Sequence, residues 1–347
     1  MDSRDSARGV PHASIARPAT KPTLRTIAQM TGFNVTTISR ALNNAPELSA
    51  DTRDRVQKIA AEIGYVPDRT ALRLKTGRTH VISLLLDAQD DLFGMGQSMV
   101  SGLTEALRGT PYHVVITPGF RNAPPLDPIQ YIVRNRVADG IILSRTEPDD
   151  ARVAFLLDED FPFVSHGRTG FARPHAFVDY DNEAFAHHAV LRLAEKGCRR
   201  VTILVPSQRY SFGLQLRAGF NAAVAEAKLD GEIMEGVTID TAAEEIRLAT
   251  MERLSRPDSP DGFICSGDSA ALGVMAAITD LGLTIGRDVE IVAKQTSGIF
   301  SQVRPRVDTI HEDTALAGTQ MGELLLRRIQ GEDPATLQII QQPQIWF

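Results

Sequence analysis

The first periodic pattern along the chain lies near its N-terminus, where apolar residues recur three and four positions apart. This spacing predicts a short helix that Thr23 caps and Gly32 ends, because glycine adopts positive φ at little cost. Asn34 can cap a second helix, Val35–Leu42. The apolar positions of both helices are expected to form a core between them: Ile27, Ala28, Ile38 and Leu42.

A third helical pattern and a basic segment follow. Ser49 opens a helix with apolar residues again three and four apart, and Pro67 stops it. Residues 69–75 form a short, basic, helix-capable segment, and residues 76–79 have the composition of a linker. The N-terminal part is therefore predicted to be all-α.

From Val81 the pattern changes to short β-rich runs separated by helical stretches. These runs are 81–86, 112–117, 140–144, 161–165, 200–205, 262–266 and 289–293. Strands that alternate with helices predict parallel sheets flanked by helices. The runs are too many for one small sheet, so we predict an α/β core of two similar, doubly wound parallel-sheet lobes. The residues themselves show no close internal repeat.

The composition agrees with a globular protein of several domains. A length of 347 residues predicts two or three domains, and 43% apolar residues allow sizeable cores. Residues 1–22 lack the apolar segment of a secretory signal and are expected to be a disordered tail. The two cysteines, Cys198 and Cys265, support neither a disulfide framework nor a zinc site, so we expect a cytoplasmic protein. We expect no membrane span, no cofactor and no metal.

Charge is distributed unevenly along the chain. Residues 1–80 carry 13 basic and seven acidic side chains, whereas residues 81–347 carry 24 and 36. A basic head on an acidic body suits a nucleic-acid-binding module joined to a part that does not bind nucleic acid. A solvated asymmetry without function is about as common, so the charge alone decides little.

Two helices joined by a tight, glycine-containing turn are typical of the helix-turn-helix unit, whose second helix enters the major groove. Here that helix begins with Val35, Thr36 and Thr37, whose hydroxyl and methyl groups can contact phosphates, bases and thymine methyls. Arg40 lies three residues after Thr37, on about the same face, and could pair with guanine. The fragment alone could be any helix that ends in glycine. The third helix and the basic segment favour DNA binding.

The segments TLRTIAQMTGFNVTTISRALNN and LSADTRDRVQKIAAEIGYVPDRTALRLKTGRTHVISLLL resemble the LacI/GalR family of bacterial repressors. The similarity runs from Thr23 to the C-terminus. It implies a helix-turn-helix DNA-binding domain in residues 23–67 and a hinge helix and linker in residues 68–79. It places three residues at base-reading positions: Val35, Thr36 and Arg40. It places five at or near phosphates: Thr23, Thr37, Ser39, Asn43 and Thr52.

The hinge helix of this family folds on operator DNA, and its leucine wedges into the minor groove. By resemblance that role falls to Leu74, with Ala71 one turn before it. The flanking Arg69 and Arg73 suit a segment that must neutralise phosphates. One departure is Asp68, where the family usually has asparagine, since a carboxylate near a phosphate is unfavourable.

The resemblance also implies that residues 80–347 form a two-lobed effector-binding and dimerisation core like that of periplasmic sugar-binding proteins. A small molecule would lie between the lobes, at the carboxyl ends of the strands. The residues that follow the strands are the candidate effector contacts: Asp87, Phe93, His166, Arg168, Tyr210, Asp268, Gln295 and Glu312. Their polar groups suit sugar hydroxyls and their rings suit sugar faces. In the alternative interpretation Asp87 and Asp268 cap helices and His166 is an ordinary loop residue. Asp181 is expected to cap its helix.

Three departures from the family pattern concern the effector. Asp268 follows a glycine where the family often has asparagine, and Gln295 and Thr296 stand where it often has two aspartates. An arginine that commonly holds effector is replaced by Leu216, and Arg217 is one step off, about 100° around a helix. Effector chemistry therefore does not transfer from better-known members. The segments HGRT and VAKQTS are similar to regulators of α-glucoside use.

Together these inferences predict a transcription regulator, most simply a repressor, whose affinity for double-stranded operator DNA changes when a small molecule, expected to be a sugar, binds between the lobes. We expect a homodimer, because no leucine heptad for a tetramer follows the core. The effector could release DNA or enhance binding. The alternatives are a sugar-binding carrier without a DNA role and an α/β enzyme, although no G-x-S-x-G, GxxxxGK[ST] or HExxH motif occurs. Both alternatives predict that activity survives deletion of residues 1–79.

Overall fold

The computed structural model describes five stretches of the chain: 21–66, 73, 76–87, 95–119 and 124–347. For Asp87 and Met95 it describes only the backbone. The chain forms two compact units that meet in sequence between Arg78 and Thr79. Among the helices of these stretches, none is long and apolar enough to cross a membrane.

The N-terminal unit has three described α-helices: α1 (Leu24–Thr31), α2 (Val35–Leu42) and α3 (Ala50–Glu62). The predicted caps are confirmed. Thr23 and Thr26 form a reciprocal capping box, and the Asn34 side chain accepts a hydrogen bond from the Thr37 amide at 2.8 Å. Gly32 ends α1 with φ at 78°, as its position predicted.

The core of this unit is small and draws on all three helices. Five apolar residues are buried: Ile27, Ile38, Ala41, Val56 and Ala60. Ala28 and Leu42, which we also predicted, are partly buried against them. The Gln57 Nε2 atom donates to Asn44 Oδ1 at 2.6 Å, which ties α3 to the turn after α2. Few large side chains stabilise this unit, so each buried residue matters.

The first lobe of the second unit is a six-stranded parallel sheet in the order β11-β5-β4-β3-β1-β2. Its strands are β1 (Val81–Asp87), β2 (His113–Gly119), β3 (Gly140–Leu143), β4 (Phe163–His166), β5 (Ala176–Tyr180) and β11 (Gln338–Gln341). Its helices are α4 (Met95–Ala106), α5 (Asp127–Asn135), α6 (Ala151–Asp158) and α11 (Thr314–Ile329).

The second lobe repeats this topology with the order β12-β10-β9-β8-β6-β7, and only its edge strand β12 runs antiparallel. Its strands are β6 (Arg200–Leu204), β7 (Asp230–Ile233), β8 (Gly262–Cys265), β9 (Glu290–Gln295), β10 (Asp308–His311) and β12 (Gln344–Trp346). Its helices are α7 (Asn182–Glu195), α8 (Ser211–Ala227), α9 (Ala243–Leu254) and α10 (Asp268–Asp280).

The predicted fold class, an all-α head and two doubly wound α/β lobes, is confirmed. Seven of the twelve strands match the predicted runs, and β10 was implied only by the choice of Glu312 as a residue that follows a strand. The strands β5, β7, β11 and β12 were not predicted. Strand β7, of sequence DGEI, is half polar, and β11 (QIIQ) and β12 (QIW) each contain only two consecutive apolar residues. All three lie at or next to a sheet edge, where one side of a strand faces solvent and the apolar signal weakens.

The chain crosses between the two lobes three times: at 181, at 312–313 and at 342–343. After the second crossing, α11 packs against α4 of the first lobe. This packing is close, because a Cβ atom on Gly102 would collide with the Ala315 carbonyl and one on Gly318 with the Met99 carbonyl. The first lobe is therefore completed by a helix that lies far along the chain.

Candidate functional site

Helix α2 presents the three predicted base-reading side chains on the side away from its core residues. Ile38 and Ala41 are buried, whereas Val35, Thr36 and Arg40 are exposed. Val35 exposes 41% of its surface although it is apolar. Such a methyl-bearing surface beside hydroxyl and guanidinium groups is suited to major-groove base edges.

The five residues predicted near phosphates are placed differently: Thr23, Thr37 and Thr52 lie at the N-terminal ends of helices, Ser39 lies inside α2, and Asn43 ends α2. Thr23 is the N-cap of α1, and the Thr52 hydroxyl lies 2.8 Å from that of Ser49 in the first turn of α3. Asn43 follows α2, and its Nδ2 atom donates to the Ser39 carbonyl at 2.6 Å. Helix N-termini offer free amide groups and a positive dipole end to phosphates.

Arg40 has a competing partner within its own unit. Its Nη2 atom lies 3.8 Å from Glu47 Oε1, and both side chains are more than half exposed. An exposed pair at this distance is weak and screened by salt. Arg40 can therefore leave Glu47 for a guanine or a phosphate without a large loss.

Four predicted site residues lie outside the described residues: Arg69, Ala71, Leu74 and Phe93. Of Asp87 only the backbone is described, as the last residue of β1.

A cavity of about 310 Å³ lies between the two lobes, at the carboxyl ends of their strands. The strand order reverses between β1 and β3 in the first sheet and between β6 and β8 in the second. Open α/β sheets bind ligands beside such a reversal of strand order. Its polar lining includes Ser144, Arg145, His166, Asp179, Asn182, Asp240, Asp268, Lys294, Thr296 and Glu312. Its apolar lining includes Phe212, Ile239, Ala242 and Ala243.

Lys294 is the centre of a buried polar network in this cavity. Its Nζ atom donates to Asn182 Oδ1 at 2.6 Å and to Glu312 Oε2 at 3.0 Å, and lies 4.4 Å from the centre of the Tyr180 ring. Burial would raise the pKa of the Glu312 carboxyl, but Lys294 and His166 hold it below its usual value. Asn182 directly follows the first crossing between the lobes and Glu312 lies in the second, so Lys294 joins the two connections.

Two further carboxylates line the cavity. Asp179 Oδ2 lies 3.1 Å from Arg168 Nε, yet burial raises the pKa of the Asp179 carboxyl despite Arg168 and His166. Asp268 accepts hydrogen bonds from the Thr296 amide at 3.2 Å and the Thr296 hydroxyl at 3.1 Å. Both carboxylates retain acceptor capacity for hydroxyl groups.

Contacts between the lobes flank the cavity. Arg145, after β3, pairs with Asp240, before α9, at 2.7 Å, and lies over the Tyr210 ring at 5.5 Å. Arg209 and Glu147 form a second pair at 2.8 Å, which is more exposed. The loops after strands of one lobe therefore reach the loops of the other around the cavity.

The predicted effector residues fall into two groups. His166, Asp268 and Glu312 line the cavity. Arg168 lies behind Asp179, Tyr210 lies behind Arg145, and Gln295 is buried, with its carbonyl accepting from the Glu312 amide. Side chains alternate along a strand, so the lining residues near Gln295 are its neighbours Lys294 and Thr296.

Two capping predictions have different outcomes. The Asp181 side chain caps α7, as predicted, by accepting from the Ala184 amide at 3.0 Å. The alternative that Asp268 caps a helix is wrong, since Gly267 is the N-cap of α10 and the Asp268 carboxylate bonds Thr296.

Leu216, at the position of the missing arginine, is buried in the core of the second lobe. Within the described ranges, no group of three or more His, Cys, Asp or Glu side chains is placed to hold a metal ion.

Several lining residues were not predicted from the sequence: Ser144, Arg145, Asp179, Asn182, Phe212, Asp240 and Lys294. Arg145 directly follows the predicted run 140–144, so the rule used for the other residues would have found it. Ser144 was counted inside that run, whereas the strand ends at Leu143. A different sequence feature could have identified Lys294. It is a lysine inside the apolar run VEIVAKQ, and a buried lysine must have a buried partner. Asp240 had no signal, since it lies in a loop that precedes a helix.

Comparisons with known proteins agree with this architecture. Residues 23–68 match the family of bacterial regulatory proteins, lacI family, and residues 190–346 match a periplasmic binding protein-like domain. The chain is 30% identical over 329 residues to the HTH-type transcriptional regulator AglR of Rhizobium meliloti (strain 1021). The aligned region covers 90% of this chain and 89% of AglR.

Two solved structures share the fold over most of the chain. The complex of the transcriptional regulator CelR with cellobiose has a TM-score of 0.68 at 24% identity and covers 94% of this chain and 99% of CelR. The lac repressor dimer bound to operator and the anti-inducer ONPF has a TM-score of 0.80 at 21% identity, covering 94% of this chain and 98% of the repressor.

Proposed function

The chain belongs to the LacI family of bacterial regulatory proteins, and from this we propose that it is a repressor that binds operator DNA through α2 and a sugar effector between its lobes. The observation that carries the DNA-binding part is the exposed face of α2. Val35, Thr36 and Arg40 together offer a methyl group, a hydroxyl and a guanidinium, the three kinds of contact that distinguish bases in the major groove.

The cavity supports a sugar as effector. Buried carboxylates at Asp179, Asp268 and Glu312 can accept hydrogen bonds from hydroxyl groups, and Phe212 can pack on the C–H face of a ring. The volume lies at the lower end of ligand pockets, roughly 300–1,000 Å³, which suits one or two sugar rings. The fold of CelR, solved with cellobiose, points in the same direction.

The mechanism couples the cavity to the lobes. An effector that touches side chains of both lobes favours the orientation in which both sets of contacts form. Its effect on DNA affinity is set by the difference between its affinities for the two orientations. We propose a homodimer on a pseudo-palindromic operator, because two-fold symmetry in the protein is matched by two half-sites in the DNA. Such a regulator is a cytoplasmic binding protein and not an enzyme.

The test is a titration of the full chain against DNA from upstream of its own gene. A palindrome-centred fragment and a scrambled fragment of equal length are compared at two salt concentrations, with and without sugars. We expect preference for the palindrome and a change in its affinity with one sugar. Equal binding of both fragments with a steep salt dependence would show only the nonspecific phosphate contribution and contradict the proposal.

A further inference from the structure

The charged side chains of the described cavity lining are internally neutralised. Arg145 is paired with Asp240 at 2.7 Å, and Lys294 is paired with Glu312 at 3.0 Å. Both full cations of the lining are thus already bound to carboxylates that line the same cavity. These four side chains are at most 16% exposed, so water screens the pairs little.

Carboxylates remain in excess after these pairs are formed. Asp179 is countered by Arg168 from behind, at 3.1 Å, and His166 lies 3.6 Å from Glu312. Asp268 accepts two hydrogen bonds from Thr296, which carries no charge. A ligand in the described cavity therefore meets a slightly negative environment rich in hydrogen-bond acceptors.

An anionic ligand is disfavoured in such a place for two reasons. Its charge would lose water without gaining a cation, and it would lie against carboxylates of the same sign. An uncharged ligand with many hydroxyl groups has the donors that these carboxylates accept. The apolar side, with Phe212, Ile239 and Ala243, can take a C–H face of the same molecule.

Asp240 has a particular place in this arrangement. It comes from the loop before α9 of the second lobe, and it covers the guanidinium of Arg145 from the first lobe. Without the Asp240 carboxylate, Arg145 would present the forked donor that binds carboxylates and phosphates. The pair therefore neutralises a guanidinium of the described lining whose shape suits an anion.

We propose that the effector is an uncharged, polyhydroxylated molecule of one or two sugar rings, and that Asp240 excludes anionic sugars by occupying Arg145. This inference rests on the proposed effector role of the cavity. It separates neutral sugars from sugar acids and sugar phosphates, a distinction that the fold does not make.

The experiment uses matched pairs in which a carboxylate replaces one CH2OH group and every sugar ring stays closed: glucose and glucuronate, maltose and maltobiouronate, cellobiose and cellobiouronate. Binding to the full-length protein is measured by calorimetry and by the shift in melting temperature. We expect one neutral sugar to bind, and its acid partner to bind about 100-fold more weakly. Operator binding is measured on the same preparation, so failure of the proposed function would be seen separately.

The variant Asp240→Asn keeps the shape of the side chain and removes its charge. We expect it to bind the acid partner about tenfold or more tightly than the unaltered protein, with a smaller change for the neutral sugar. Glu147→Gln is the matched control, because it removes the carboxylate of the other pair between the lobes, at Arg209, which does not line the cavity. It should leave the preference unchanged.

Three outcomes would overturn the proposal. Tighter binding of an acid than of its neutral partner would contradict the uncharged class. An unchanged acid affinity in a folded Asp240→Asn variant would contradict the role of Asp240. Binding of none of these sugars by protein that still binds its operator would contradict the ligand class while the DNA-binding function stands.

Discussion

The two candidate binding regions of this chain are built in opposite ways. The candidate DNA-contacting side chains of α2 are exposed and lie within one helix of eight residues, which Asn34 caps at its N-terminus and Asn43 at its C-terminus. The cavity is lined by buried side chains that follow strands from β3 to β10, so its residues span more than half of the second unit. One site is a local surface on a small core, and the other exists only when two sheets are assembled.

This difference predicts how substitutions act. An exposed residue of α2 can change DNA affinity while the free energy of unfolding stays nearly constant. Substitution of a charged residue in the cavity also alters the free energy of unfolding, because its charged partner is buried with it. The predictions below test that distinction, from the largest expected effect to the smallest.

Lys294→Met should destabilise the second unit by about 3–5 kcal/mol, since it leaves the buried Glu312 carboxylate without its cation. The double variant Lys294→Met/Glu312→Gln should regain most of that loss, because no unpaired charge remains. Urea unfolding followed by circular dichroism measures both. Equal loss in the single and double variants would show that packing, and not the charge, explains the effect.

Ile38→Ala should unfold the N-terminal unit, because truncation of a fully buried isoleucine costs about 2–5 kcal/mol and this core has few other large residues. Operator binding should disappear while sugar affinity stays unchanged. Gel-shift and calorimetric titrations separate the two. Val35→Ala, on the exposed face of the same helix, is the control and should keep the unit folded. Loss of sugar binding with Ile38→Ala would contradict independent stability of the two units.

Arg40→Ala should weaken operator binding by about 1–3 kcal/mol without altering the melting temperature, since the side chain is exposed and its ion pair with Glu47 is long, at 3.8 Å. The companion variant Glu47→Gln should strengthen binding slightly, because Arg40 then has no competing carboxylate. Fluorescence anisotropy with operator and scrambled DNA measures both. A uniform loss on both DNAs would assign Arg40 to phosphate contact instead of base reading.

Acid should destabilise the second unit through His175. Burial lowers the pKa of His175 from 6.5 to about 4, despite Asp150, and its Nε2 atom lies 3.1 Å from Ser165 Oγ. Between pH 6.5 and pH 4 the His175 imidazole is therefore protonated in the unfolded chain but not in the folded chain. The free energy of unfolding keeps its full value above pH 6.5 and falls as the pH drops towards 4. Between pH 7 and pH 5 we expect a loss of about 2 kcal/mol in urea unfolding.

His175→Gln should reduce this loss, because glutamine can still bond Ser165 but does not titrate. The two proteins are compared by the slope of their unfolding free energy against pH. Their stabilities at a single pH are not comparable, because His175 contacts the rings of Phe163 and Phe177 and its replacement also changes packing. An identical slope in both proteins would assign the acid sensitivity to other groups.

The sequence by itself determined the head almost completely. Caps, the turn at Gly32 and the bounds of α2 depend on residues within a few positions of each other, so local rules suffice. It also determined the α/β core, since buried parallel strands have continuous apolar runs. The edge strand β7 gave no such run, because its polar residues face solvent.

Only the tertiary structure decided how the cavity is composed. Lys294 and Glu312 are 18 positions apart, and Arg145 and Asp240 are 95 positions apart, so no local pattern relates the members of either pair. Position after a strand located His166, Asp268 and Glu312, because carboxyl ends of parallel strands share one edge. Which charges neutralise each other depends on how two sheets and three crossings bring distant loops together, and that information is not contained in any short segment.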